Sequence, residues 1–385
     1  VRHFKDQTFD IIEMSPSSLA KVKNISLKKA LDIGDKFKEL KKVQNTVMFL
    51  QKYNISTNMA LKIYEVYGAK TIESVKNNPY RMVEDIDGIG FLTADRIAKS
   101  IGIPADSEFR VRAGLLHALN NAVEKTGNTY MPKGLLLNQA EEILELDHAS
   151  HKNLYDDALQ GLTLDKTVMI MFREGYEIVV PSKYYFYENS VAQKLALLNC
   201  SQVIEKQDVD DEIKAFEEKN HIVFHEEQKN AIRNSINSGV SVITGGPGTG
   251  KTTIIKCIID IVKQNNKKFM LLAPTGRASK RMSDSTGEEA KTIHRALEVA
   301  QGDLAHLSRF VYNENNPFKT DVVIVDEVSM VDVALMSHLC KALPRDCKLI
   351  LVGDKDQLPS VGAGNVLDDI LKSGIISVSM LTKIY

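Results

Sequence analysis

A chain of 385 residues with 43% apolar side chains, 26% charged side chains and a net charge of −1 has the make-up of an ordinary globular protein of two or three domains. That balance excludes attraction to a polyanion by bulk charge, so any nucleic-acid surface must come from a local arrangement. The lack of an apolar run of about 18 residues and of a signal peptide argues against membrane and secretory readings, and Cys200, Cys257, Cys340 and Cys347, with no Cys-x-x-Cys and no zinc spacing, point to reduced thiols in a cytoplasmic protein.

In chain order, the first hundred residues repeat one pattern three times, I-[SG]-x-x-x-A-x-x-I. The copies are Ile25-Ser26 with Ala30 and Ile33, Ile55-Ser56 with Ala60 and Ile63, and Ile89-Gly90 with Ala94 and Ile97. Each sets a small residue at a helix start and Ala and Ile on one helical face, as paired short helices need. The third copy, DIDGIGFLTADRIAKSIGI, resembles the helix-hairpin-helix motif. The resemblance implies that Gly88, Ile89 and Gly90 present backbone N–H groups to a DNA phosphate without reading a base. The first two copies carry Asn24 and Asn54 in the hairpin and are expected to be mainly structural. Between Pro16 and Lys52 nine lysines face three acids, either a solvated helix face or added backbone attraction.

Further on, Val111, Leu115, Leu116, Leu119 and Val123 recur at helical spacing before Gly127. Helices over 135–146 and 154–162 precede short strands at 167–172 and 177–180 around the turn Arg173-Glu174-Gly175, a winged-helix-like α+β module. Tyr184, Tyr185, Phe186 and Tyr187 offer either a base-stacking platform or interface packing ahead of a helix from about Val191. A polar segment at 205–220 reads as a surface helix leading into the last domain.

Residues 240–263, VSVITGGPGTGKTTIIKCIIDIVK, read as strand, glycine-rich loop and helix. Gly245, Gly250, Lys251 and Thr252 hold the fixed positions of a phosphate loop completed by Gly246, Pro247, Gly248, Thr249 and Thr253. Such a loop turns N–H groups and a helix N-terminus toward a polyphosphate; Lys251 reaches the β- and γ-phosphates and the Thr252 hydroxyl ligates Mg²⁺. ATP and Mg²⁺ are therefore the expected cofactors. Three further apolar runs, ending in APTGRASKRM, DVVIVDEVSMVD and GDKDQLPSVGAGN, alternate with helices, so a parallel sheet covered on both faces is expected, with its ligand at the carboxyl ends of the strands. There Asp326 can hold Mg²⁺, Glu327 can orient or deprotonate the attacking water, and Gln357 can sense the γ-phosphate. EEAKTIHRAL is expected to open a helix.

Taken together, GGPGTGKTT, APTGRA, TIHR, VIVDEVSM and LVGDKDQLPSVGAGN resemble the ordered motifs of superfamily 1 DNA helicases, most closely the RecD-like ATP-dependent enzymes in their stand-alone long form. The resemblance implies a RecA-like P-loop α/β domain behind the hairpin repeats and the winged-helix-like module, with domains at 1–104, 105–207 and 208–385. It also implies that Gln228 recognises adenine, that Pro274, Thr275, Gly276 and Arg277 grip the single-strand backbone, and that Thr292, His294 and Arg295 form a second strand contact. The turn Asn313-Glu314-Asn315-Asn316 suggests a hairpin near 306–319, either a duplex-splitting pin or a plain surface loop.

Implied partners are single-stranded DNA and single-strand/duplex junctions, with a single-strand-binding protein as a candidate, for a monomeric motor moving 5′ to 3′ in repair, recombination or fork processing. The chain ends at LTKIY, where the family continues into an arginine-bearing motif and a second RecA-like domain. Poor hydrolysis by this chain alone is therefore expected. A nucleotide-regulated DNA scaffold and the helicase part of a conjugative relaxase are the competing readings.

Overall fold

The computed structural model describes residues 3–200, 208–300 and 310–384. The chain divides into two compact units, Val1–Ala118 with Leu136–Leu162, and Leu119–Leu135 with Thr163–Tyr385. Residues of the expected 105–207 module are shared between them, because the helix Glu108–Thr126 runs unbroken across the first division.

The first unit is helical, and its three repeats fold alike. Asn24, Asn54 and Gly88 all take left-handed backbone, with φ of 72°, 59° and 96°. Each is followed by Ile25, Ile55 or Ile89 and then by the N-cap of a helix, Leu27–Gln51, Thr57–Tyr67 or Phe91–Ile101. Ala30, Ala60 and Ala94 are fully buried, as close helix packing requires, and Ile55, Ile63, Ile89 and Ile97 share one core with Leu50, Val75 and Met82. Serine caps the first two helices through its side chain, accepting from Lys29 N and Met59 N, whereas Gly90 supplies no such bond.

The third repeat is tied down by a buried polar network. Arg110, 2% exposed, donates to both Asp95 oxygens (2.7 and 3.3 Å) and to the carbonyls of Ala105 and Leu144, while Tyr80 donates its hydroxyl to Asp95 at 2.7 Å. Burial pushes the Asp95 carboxyl up, but the bonds from Arg110, Tyr80 and Lys99 outweigh it and hold the group below the usual carboxylate range.

The second unit contains two sheets. Strands β1 (Met131–Pro132), β2 (Val168–Arg173) and β3 (Tyr176–Pro181) form an antiparallel sheet in the order β1-β3-β2. The helices Lys133–Leu144 and Lys152–Leu164 fall between β1 and β2 in the chain, and their residues 136–162 belong to the first unit. The helix expected from Val191 begins at Ser182 instead. Tyr184 and Tyr187, three apart, pack against the core, while Phe186 stays exposed.

Strands β4 (Val240–Gly245), β5 (Phe269–Ala273), β6 (Ala290–Thr292), β7 (Val322–Val325), β8 (Lys348–Gly353) and β9 (Ser377–Leu381) form a parallel sheet in the order β6-β5-β7-β8-β4-β9. Alternate residues feed two cores: Val323, Val325, Leu349 and Leu351 on one face, Val322, Ile324, Ile350 and Val352 on the other. Both faces are thus covered, which is why these strands read as unbroken apolar runs. The helix expected at EEAKTIHRAL is a correction: Ala290–Thr292 adds the edge strand β6 beside β5, and only Ile293–Leu297 is helical.

The polar segment forms the helix Asp210–Asn220, with Ile213 and Phe216 buried; 205–207 lie outside the described residues. Of the hairpin expected near 306–319, residues 306–309 also lie outside them. Asn313 and Asn316 close a tight turn, while an antiparallel bridge pairs Val299 with Phe310. No helix among the described residues is long and apolar enough to cross a membrane.

Candidate nucleotide site

Parallel strands send their carboxyl ends to one edge of the sheet, and the sequence-assigned chemistry gathers there. The loop after β4 passes through Gly248 and Gly250, at φ of 79° and 85°, into the helix Lys251–Gln264. The Thr249 hydroxyl donates to Gly246 O at 2.9 Å. Lys251 turns its ammonium back onto the loop, donating to Gly245 O and, at 2.9 Å, to Gly246 O. The cation thus sits over the loop it is expected to serve.

Gln228 is expected to recognise adenine, and its amide also bonds the loop. It is 5% exposed, donates from Nε2 to Thr249 O (3.1 Å), and accepts at Oε1 from His225 N (2.9 Å), closing a capping box on the helix Glu226–Asn237. A Cβ on Gly250 would overlap that amide nitrogen, so the left-handed glycine and the glutamine fit each other.

Asp326 follows β7 and accepts from Glu327 N at 2.9 Å. Burial pushes its carboxyl above the usual range against that backbone bond, and the Glu327 charge pushes the same way. Glu327 itself takes left-handed backbone, φ 55°, a conformation that costs a non-glycine residue about 1–2 kcal/mol. Arg281 reaches it, Nη1 to Oε1 3.7 Å. Beyond β8 the chain passes the buried Asp354 to Gln357, whose side chain is exposed and whose N–H bonds Asp354 O at 3.2 Å.

The Thr252 hydroxyl and the Asp326 carboxylate are hard oxygen donors, the chemistry Mg²⁺ prefers, and the adjacent Asp326 and Glu327 carboxylates gain from a nearby cation. No cluster of three or more His, Cys, Asp or Glu side chains suited to a metal occurs among the described residues.

The residues assigned to nucleic acid lie in three places. Pro274 leads into Thr275, whose hydroxyl caps the helix Gly276–Thr286 by accepting from Ala278 N at 3.2 Å; Thr292 caps Ile293–Leu297 in the same way from Arg295 N at 3.1 Å. Both caps follow neighbouring parallel strands, so their helices start at the same edge of the sheet. Arg277, His294 and Arg295 are exposed. In the first unit, Ile89 buries its side chain and donates its N–H to Ile86 O, while Gly88 and Gly90 on either side of it are exposed. Arg281 and Asp354 were not assigned from sequence. Arg281 lies four residues after Arg277 on a helix whose cap is legible, and that spacing places both on one face.

Residues 228–363 match the family model described as an AAA domain, and residues 39–130 match the one described as the ATP-dependent RecD2 DNA helicase HHH domain. The ATP-dependent RecD2 DNA helicase of Deinococcus radiodurans is 27% identical over 366 residues, which cover 94% of this chain and 50% of that protein. The RecBCD enzyme subunit RecD of Mycobacterium tuberculosis is 36% identical over 169 residues, 38% of this chain and 28% of that one. Among solved structures, the Pif1 helicase from Candida albicans is similar at a TM-score of 0.34 and 25% identity, covering 43% of this chain and 41% of that chain. The chain therefore spans half the length of the Deinococcus relative.

Proposed function

We propose, on the premise that this chain belongs to the RecD-like group of superfamily 1 helicases, that it works in an ATP-driven DNA translocase that separates strands. The observation that carries the reading is the meeting of Lys251, Thr252, Asp326 and Glu327 at one edge of a parallel sheet, in a chain that also holds three hairpin repeats. A scaffold that only bound nucleotide would have no use for a water-orienting carboxylate held in strained backbone.

In this reading the loop N–H groups and Lys251 hold the β- and γ-phosphates, displacing the ammonium from its present carbonyl partners. Thr252 and Asp326 would hold Mg²⁺, which neutralises phosphate charge when bound. Glu327 aligns the attacking water and takes its proton, and Gln357 answers to the γ-phosphate. Gln228 braces the loop from behind through Thr249. Pro274, Thr275, Gly276 and Arg277 with Thr292, His294 and Arg295 follow one strand of DNA along the sheet edge, and the hairpin of Gly88, Ile89 and Gly90 touches a phosphate elsewhere on the substrate. Movement is 5′ to 3′ from a single-stranded tail, in repair, recombination or fork processing.

Strand displacement on duplexes with a 5′ or a 3′ tail, comparing the intact protein with its Glu327→Gln variant, tests activity and polarity together. A helicase loses turnover and unwinding in the variant while keeping ATP binding. Unwinding unaffected by Glu327→Gln, or seen only from 3′ tails, would sink the corresponding part of the reading.

A further inference from the structure

The helix Gly276–Thr286 carries a basic face whose reach extends past the strand contacts assigned to it. Arg277, Lys280 and Arg281, with Asp284 and Ser285, line an open, shallow hollow on the outer face of that helix. Three cations at spacings of three and four residues share that hollow with one carboxylate. Arg281 also reaches the other way, to the Glu327 carboxylate 3.7 Å from its Nη1.

The two partners are unequal. Side-chain exposure is 76% for Arg281 and 18% for Glu327, so the carboxylate is the fixed, enclosed member and the guanidinium the mobile one. Glu327 is anchored by β7 and by its left-handed backbone, whereas the arginine ends a long flexible arm. One nitrogen at 3.7 Å is not a bidentate bond, and such a pair yields to a better acceptor. A phosphodiester entering the hollow meets Arg277 and Lys280 and competes for Arg281 with the geometry guanidinium favours.

We propose that Arg281 is a positioning residue that holds Glu327 idle until a nucleic-acid backbone phosphate in the hollow draws the guanidinium away. Strand occupancy and the water-activating carboxylate are then linked through one side chain. The turnover half of this inference rests on the role proposed above for Glu327; the binding half rests only on the ion pair and the hollow.

Linkage makes the coupling reciprocal: if the strand must take Arg281 from Glu327, removing that carboxylate's charge strengthens strand binding. The affinity of the protein for a fluorescent oligothymidylate, measured by anisotropy without nucleotide, is compared for wild type, Arg281→Ala, Glu327→Gln and the double variant. Expected are weaker binding in Arg281→Ala, a gain of about threefold in Glu327→Gln, and no comparable gain when Arg281 is already absent. The same Glu327→Gln effect in both backgrounds overturns the proposal, as does an oligonucleotide that binds none of the four proteins.

In the turnover arm, Arg281→Ala raises the strand-free ATPase rate a few-fold and flattens stimulation by the oligonucleotide, and Arg281→Lys restores part of it. Stimulated wild-type turnover left unchanged by Arg281→Ala overturns the inference while the helicase reading stands. Non-additive binding in a protein whose turnover no strand stimulates supports the linkage and counts against the helicase reading.

Discussion

Replacing Gln228 by alanine tests whether this side chain braces the phosphate loop. Its amide makes two bonds inside the protein, 3.1 Å to Thr249 O and 2.9 Å from His225 N, from a residue only 5% exposed. Losing two such bonds costs about 1 kcal/mol each, and leaving their buried partners unsatisfied brings the total to about 3 kcal/mol. Urea unfolding reads that loss directly. Because what loosens is the grip on phosphate, the affinities for ATP and GTP fall by the same factor. A stability change under about 1 kcal/mol, with ATP affinity reduced and GTP affinity untouched, would refute the reasoning and return Gln228 to base recognition. Gly250→Ala is the cross-check. At φ 85° an alanine pays about 1–2 kcal/mol for left-handed backbone and must also push the Gln228 amide aside. Combined with Gln228→Ala only the backbone part remains, so the double variant should be less destabilised than the sum by about 1–2 kcal/mol.

Arg110→Ala strips a buried carboxylate of its main partner and should cost about 3–5 kcal/mol in thermal or urea unfolding. Since Asp95 is held below its ordinary range, its stabilisation is complete above about pH 4 and is lost as pH falls through the folded value, so Asp95→Asn removes that acid slope from unfolding measured between pH 5 and 2. A thiol reagent on the native protein should find Cys200 alone, because Cys257, Cys340 and Cys347 are buried and burial pushes their thiols up to about 12; denaturant releases the rest. Gly90→Ser, at a position where a Cβ meets open space, should add a few tenths of a kcal/mol as a helix cap and weaken oligonucleotide binding by placing a side chain on the bare glycine surface. Ser337→Ala should stabilise by about 1 kcal/mol, since its buried hydroxyl has no hydrogen-bond partner among the described residues.

Much of the fold was legible because its signals are local. The run Val240–Ile243 is buried on both faces as a sheet interior, and behind it Gly248 and Gly250 both adopt the positive φ for which glycine is suited. The repeats were equally legible, for Ala30, Ala60 and Ala94 recur at one position of each copy and all three are fully buried. Less legible were elements that depend on a distant neighbour. Ala290–Thr292 became a strand only because β5 offers it an unpaired edge, and the helix Ser182–Cys200 starts early because Tyr184 and Tyr187 find a core to cover.

The candidate site shows the same division more sharply. Residue type and spacing identify which groups can do chemistry, but each donor or acceptor is spent on whichever partner the fold brings nearest. Gln228 bonds His225 N and Thr249 O with one lone pair and one N–H, contacts its sequence motif does not announce. Thr275 and Thr292 sit in motifs expected to contact a strand, and their hydroxyls accept the helix-capping N–H bonds while keeping the O–H as a donor. Ile89 gives its N–H to Ile86 and leaves Gly88 and Gly90 as the exposed members of its hairpin. Arg281 is the opposite case, a cation with no sequence-level assignment that gains significance because β5 and β7 are adjacent and set its helix beside Glu327. A motif therefore names the chemistry available at a site, and the competition among neighbouring hydrogen-bonding groups decides which residue performs it.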